Sequence, residues 1–310
     1  MDEEAIRPGE ELLNDAYDAG QDDDYERARS LMAQFDATGP HDLDLLARRH
    51  VLAALLAERD DPATMRAELE AALGYAEEAD DDWERGRIFV AQARDLARTG
   101  DVEGALALLR RADALYDLYE EPEYERCHVR INVVKILDNA GRSSEAIDTV
   151  REAVDLMGQA GDTDEQHSFA EDLARRLQKL KRHSEAIDAW QEAARLAQEI
   201  GNQPHRAYAI TQMAFSEAAL EQLDDALAHL FEGHRLFVEA KDQLGAGLAG
   251  GQLASFLLLH DKGTPEQVSA LLSESAQRLR EAGHEGGVAE TEKLIDSVNE
   301  VLAHNPKAMA

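Results

Sequence analysis

The sequence predicts an all-α protein, a solenoid of about seven helix–turn–helix repeats closed by a C-terminal capping helix. Three observations predict it. Helix-forming residues dominate, and 7 prolines in 310 residues leave room for long uninterrupted helices. A pattern of small and large apolar residues recurs about every 40 residues. Helix-stop signals recur at the same interval.

The apolar pattern is a small residue, a large one four positions on, and a small one three later. It is clearest at Ala105, Leu109, Ala112, at Ala146, Val150, Ala153, and at Ala186, Trp190, Ala193. It returns at Ala226, Leu230, Gly233 and, more weakly, at Tyr25, Ala28, Met32, Phe35. Degenerate copies stand at Met65, Leu69, Ala72 and at Val268, Leu272, Ser275. From Ala28 through Met65, Ala105, Ala146, Ala186 and Ala226 to Val268 the intervals are 37, 40, 41, 40, 40 and 42. Helix ends expected near Asp80, Glu120, Gly161, Gly201, Lys241 and Gly283 fall at intervals of 40, 41, 40, 40 and 42. Two markers moving in step make chance self-similarity a poor explanation.

The repeats run roughly 10–40, 41–80, 81–121, 122–162, 163–202, 203–242 and 243–284. Each has an earlier helix before the marked one. Ile131, Val134, Leu137 show helical spacing in the fourth, Leu173, Ala174, Leu177 in the fifth, and Ile210, Met213, Ala214 in the sixth. The small residues let facing helices approach closely. Residues 285–303 carry Val288, Glu292, Ile295, Val298 and Leu302 along one stripe of a mostly polar helix, as expected of a cap that hides the last apolar face. The tail 304–310 is expected to fray. Nothing marks a linker, so one continuous domain, 1–303, is preferred to a pair of helical bundles.

With Ala93, Ala174 and Ala214 in the first helices and Ala105, Ala146, Ala186 and Ala226 in the second, the chain resembles the tetratricopeptide repeat from about Glu10 to Ala282. Its period exceeds the commonest one of about 34 residues. It is similar to the longer variant of kinesin light chains and of bacterial regulators and adaptors, although the common Trp and Tyr of the short repeat are mostly missing. The resemblance implies a right-handed α-solenoid that binds protein or peptide on a concave wall lined by the first helix of each repeat.

On that wall the offset from the packing positions selects Arg87, Arg94 and Arg98 in the third repeat. It selects His128, Asn132, Lys135 and Asn139 in the fourth, and Arg175, Gln178 and Lys179 in the fifth. A chain with 64 acids and 32 bases thus places a basic, amide-rich stripe where a ligand is expected, able to grip carboxylates. The competing reading is pairing with nearby acids, such as Glu171 with Arg175. Some members of the family clamp a carboxyl terminus. Asn132 stands where a clamp asparagine would, but Ser168 and Asp172 replace the basic residues of the next helix. In the last repeat the inward candidates, Leu248, Gly251, Ser255 and Leu258, are mostly apolar or small.

The net charge of −32 argues against direct binding of nucleic acid or an anionic membrane. It serves solubility, or attracts a basic client to an acidic outer surface. Acidic runs at 22–24, 77–82 and 120–125 lack the ligand spacing of a calcium loop and read as solvated edges. The single cysteine, Cys127, precludes an intrachain disulfide and reads as an idle thiol. The acidic start Met1-Asp2-Glu3-Glu4 is unlike a secretory signal, and no apolar run spans a bilayer, so a cytoplasmic location is expected. Only 7 lysines beside abundant Ala, Arg and Asp point to a GC-rich bacterial genome.

No catalytic motif is present. Gly245, Gly247, Gly250 and Gly251 fall within an expected helix and read as close packing. The 11 histidines are scattered, with His128, His167, His205, His229 and His234 the nearest to candidates; His229 and His234 are five apart, on different helix faces, and no metal set emerges. No cofactor is expected. The expected function is a non-catalytic scaffold or adaptor for a peptide or protein segment. The alternatives are a peptide-sensing regulator and a dedicated chaperone for a basic client. The exposed ends of such an array make a homodimer a candidate assembly.

Overall fold

The computed structural model describes residues 9–58 and 61–304, the side chains of 301–304 excepted. The acidic start and the tail from residue 305 lie outside the described residues. Among the described residues there are fifteen α-helices and no strand. They are α1 (Glu10–Gln21), α2 (Tyr25–Ala37), α3 (Leu43–Ala57), α4 (Pro62–Glu78), α5 (Asp82–Thr99), α6 (Val102–Tyr116), α7 (Glu123–Asn139) and α8 (Ser143–Ala160). Then come α9 (Thr163–Lys179), α10 (His183–Glu199), α11 (Gln203–Ala219), α12 (Leu223–Glu239), α13 (Gln243–Leu259), α14 (Pro265–Glu281) and α15 (Glu285–His304). Consecutive helices pack in pairs, so the chain is an all-α array of helical hairpin repeats. None of the described helices is long and apolar enough to cross a membrane.

Two compact units divide the chain, Met1–Thr149 and Val150–Ala310. The periodic residues make the core of each. In the first unit Ala28, Met65 and Ala105 are at most 3% exposed, and Met65, Leu69 and Ala72 of α4 pack with Ala47, Val51 and Ala54 of α3. In the second unit Ala226 and Leu230 join Leu253, Val268 and Leu272 in one apolar cluster. Val298 of α15 is buried in that cluster, so the last helix covers the apolar face of α14. At Gly233 of α12 a β-carbon would stand 2.1 Å from Thr211 Oγ1 and 3.1 Å from the Ala207 carbonyl oxygen, which is why the pattern ends there on the smallest residue. Gly247 and Gly250 lie inside α13, where β-carbons would meet Leu279 and Ser275 of α14.

The inter-repeat turn has one recurring construction. A residue just past the helix adopts positive φ at Asp80, Gly161, Gly201, Lys241 and Gly283, and at Glu121 it falls four residues beyond Asp117, the C-cap of α6. At Lys241 its N–H donates to the Val238 carbonyl, and the next N–H, of Asp242, donates to that of Phe237. That pair of bonds satisfies carbonyls the helix end would otherwise leave open. Asp242 then caps the following helix, its side chain accepting from the Gly245 N–H. Asp81, Asp162 and Asn202 repeat this role on α5, α9 and α11. Asp24 does the same on α2, so parts of the acidic runs at 22–24 and 77–82 are helix caps.

Lys241 takes its φ of 59° where three of the six repeat ends have glycine. A left-handed non-glycine residue costs about 1–2 kcal/mol, part of which glycine returns as lost chain entropy. Lys241→Gly is therefore expected to stabilise the protein by about 0.5–1 kcal/mol, read as a higher denaturation midpoint; a lower midpoint would contradict it.

Candidate functional site

A cavity of about 990 Å³ opens in the first unit between the first helices of its four repeats. Helical spacing selects its walls. On α5, Trp83, Arg87, Val90, Ala91 and Arg94 recur at intervals that keep them on one face. Arg48, Val51, Leu52 and Leu55 do the same on α3, Leu13, Asn14 and Tyr17 on α1, and Tyr124 and His128 on α7. The lining is cationic and aromatic: Arg48, Arg87, Arg94 and His128 stand against Asp18 and Glu125, with Tyr17, Trp83, Tyr116 and Tyr124 between them.

The three arginines are held differently. Arg48 donates to Glu10 at 3.0 Å and to Asn14 at 2.7 Å. Arg87 donates to Glu84 at 3.0 Å, with its guanidinium carbon 6.0 Å from the Tyr17 ring centre. Glu84 is buried, and burial pushes its carboxyl above the usual range despite the charge of Arg87. Arg94 is the least committed: among the described residues, its carboxylate contact is with Glu58 at 3.8 Å, and its buried Nε has no hydrogen-bond partner. Beside it, desolvation against the wall and then the charges of Arg94, Lys135 and Arg87 hold the His128 imidazole below its ordinary value, although part of the ring is open to solvent.

Trp83 anchors the aromatic side. It meets Tyr116 and Tyr119 edge-to-face, with centroids 5.3 and 5.1 Å apart, and its backbone N–H donates to the Tyr119 hydroxyl at 3.0 Å. Burial drives the Tyr116 hydroxyl far above the ordinary tyrosine value, so it stays protonated.

The other residues that the sequence selects are spread over both units. Arg98 faces a neighbouring pocket of about 420 Å³, bonded to Asp95 and to the Glu58 carbonyl, each at 2.7 Å. Asn132 is buried and donates to the His128 carbonyl of its own helix. Lys135 and Asn139 are exposed on α7. In the second unit Arg175 is half-exposed, its Nε donating to the Glu171 carbonyl at 3.3 Å. Gln178 joins α9 to α11 by donating to the Gln212 carbonyl and the Ser216 hydroxyl, and Lys179 is exposed. On α13, Leu248 and Leu258 are exposed, while the Ser255 hydroxyl donates to the Gly251 carbonyl. Cys127 is buried in α7.

Sequence reasoning centred on polar offsets passed over the aromatic lining. Its signal was one turn away: Trp83 precedes Arg87 by four positions, and Tyr124 precedes His128 by four.

No family model matches the chain, and no curated protein matches it in sequence. Solved structures are similar to it in fold. A signal transduction ATPase with numerous domains and a tetratricopeptide repeat sensor, from Pyrococcus horikoshii, is 13% identical with a TM-score of 0.54. The match covers 94% of this chain and 43% of that one. The nearly identical TPR-like repeats of a putative kinesin light chain from Podosopora anserina are 16% identical, over 64% of this chain and 96% of that one, with a TM-score of 0.46. The apo form of RapI is 12% identical, over 83% of this chain and 99% of that one, also with a TM-score of 0.46.

Proposed function

We propose that this chain, whose fold is that of tetratricopeptide-like repeats, is a non-catalytic scaffold that binds an extended segment of a protein or peptide in the groove of its first unit. One observation carries the reading. In a chain of net charge −32, the large concave surface gathers three arginines and a histidine among four aromatic rings. Arg, Tyr and Trp are the residues that dominate binding energy at protein interfaces. The groove favours a segment with a carboxylate for Arg94 and an apolar or aromatic side chain for the Trp83 and Tyr124 side.

Arg94 makes the proposal testable, because among the described residues its carboxylate contact is the long one to Glu58, at 3.8 Å. Losing a charge-assisted hydrogen bond weakens binding by about 10- to 100-fold. Arrays of acidic, neutral and basic peptides would be presented to the wild-type chain and to Arg94→Glu. Acidic peptides with an apolar side chain are expected to be retained by wild type and lost by the variant, with the melting temperature unchanged. Retention indifferent to peptide charge, or to the substitution, would remove the groove from the reading.

A further inference from the structure

The second unit holds a cluster that the peptide-binding reading does not use. His167 and Glu171 lie one turn apart on α9, and α11 brings His205, its third residue, against them. His205 Nδ1 is 3.0 Å from Glu171 Oε1, and His167 Nε2 is 3.3 Å from the same oxygen. The two rings meet edge-to-face with centroids 5.1 Å apart. One ligand atom from each of the three residues lies within 4.8 Å of the other two.

The unusual member is His167. It is 4% exposed, and its Nε2, which faces Glu171 Oε1 at 3.3 Å, makes no well-formed hydrogen bond. A buried imidazole nitrogen left without a well-formed hydrogen bond calls for an explanation such as an ion. The spacing supplies one. Zinc takes histidine nitrogen and carboxylate oxygen at about 2.0–2.2 Å, so tetrahedral ligand atoms stand roughly 3.3–3.5 Å apart. The two measured edges are close to that, and rotation of the His205 side chain, 51% exposed, adjusts the third.

We propose that His167, Glu171 and His205 bind one divalent transition-metal ion of the zinc type through His167 Nε2, Glu171 Oε1 and His205 Nδ1. Two imidazoles with one carboxylate select this class over magnesium or calcium, which take oxygen donors. Three protein ligands leave a fourth position, and the exposure of His205 opens it to water or to a donor from a bound molecule. Arg175 does not block the site: its guanidinium lies 3.9 Å from the other carboxylate oxygen, Oε2, and its side chain is half-exposed. The assignment stands independently of the groove in the first unit.

The test is zinc titration of the chelator-stripped full chain by calorimetry, with cobalt(II) absorption as the reporter of coordination. Wild type is expected to bind one zinc per chain, to give the visible absorption of four-coordinate cobalt, and to melt at higher temperature with zinc. His205→Ala removes a half-exposed ligand and leaves the core intact. It and Glu171→Gln are expected to weaken binding by at least about tenfold and to abolish the cobalt band. His229→Ala is the control, removing an imidazole that pairs with Glu217 at 2.8 Å elsewhere in this unit; it is expected to leave zinc affinity unchanged. Equal affinity in wild type and His205→Ala, absence of the cobalt band in wild type, or equal weakening by His229→Ala would assign any bound zinc to scattered surface carboxylates and overturn the site.

Discussion

Trp190→Ala is expected to destabilise the second unit by about 3–5 kcal/mol, the usual range for truncating a large buried aromatic side chain. Trp190 is fully buried on α10 and meets Tyr208 of α11 edge-to-face, centroids 5.6 Å apart. It occupies the large apolar position of the fifth repeat, where the other repeats have Leu, Val or Met. Its removal empties the space between two hairpins, and in an array where each repeat contacts only its neighbours nothing distant compensates. Its indole N–H is buried without a hydrogen-bond partner, a standing penalty that phenylalanine would not carry. Trp190→Phe should therefore cost much less than Trp190→Ala, because it leaves a smaller cavity and removes the orphan donor. Denaturant unfolding followed by far-ultraviolet circular dichroism measures both. A loss below about 1 kcal/mol for the alanine variant would mean that the neighbouring helices collapse into the gap.

The helical hairpins were legible because their determinants are local. Alanines at Ala105, Ala146, Ala186 and Ala226 mark close helix contacts, and each is 0% exposed. The turns were legible for a related reason: left-handed geometry recurs at Gly161 and Gly201 and also at Asp80 and Lys241, where the residue type hides it and only the period reveals it. Among the candidate residues, cavity placement was legible where they share a helix face with a packing position. Register alone places Arg87, Arg94 and His128 on the cavity wall. What register does not give is the commitment of each side chain. Gln178 is spent joining α9 to α11 and Asn132 on its own backbone, because a nearby carbonyl or hydroxyl takes an amide regardless of the face it starts from. The pairing of His167 with His205 was out of reach for another reason. Spacing rules find ligands within one helix, whereas these two are 38 positions apart and meet only when successive first helices stack.

Gly86→Leu is expected to destabilise the first unit by about 1–3 kcal/mol and to deform the groove. Gly86 lies in the interior of α5, where leucine would ordinarily gain about 0.8 kcal/mol of helix propensity. Packing reverses that sign. A β-carbon at Gly86 would stand 2.8 Å from both Cε1 and Cζ of Tyr116, closer than real contacts allow. Tyr116 has little room to yield, since it is 3% exposed at the end of α6 with Trp83 against its ring. The ring must move outward, toward the cavity that Tyr116 and Trp83 both line. Two readouts separate the effects. Denaturation measures the lost stability. In a Trp190→Phe background, Trp83 is the sole indole, and its emission reports the displaced aromatic wall. If the groove binds as proposed, Gly86→Leu should weaken peptide retention even with Arg94 intact, because the apolar side chain of the ligand loses its seat. Unchanged Trp83 emission together with full stability would show that α5 and α6 separate to admit the side chain, and that the close approach at Gly86 is not what fixes the wall.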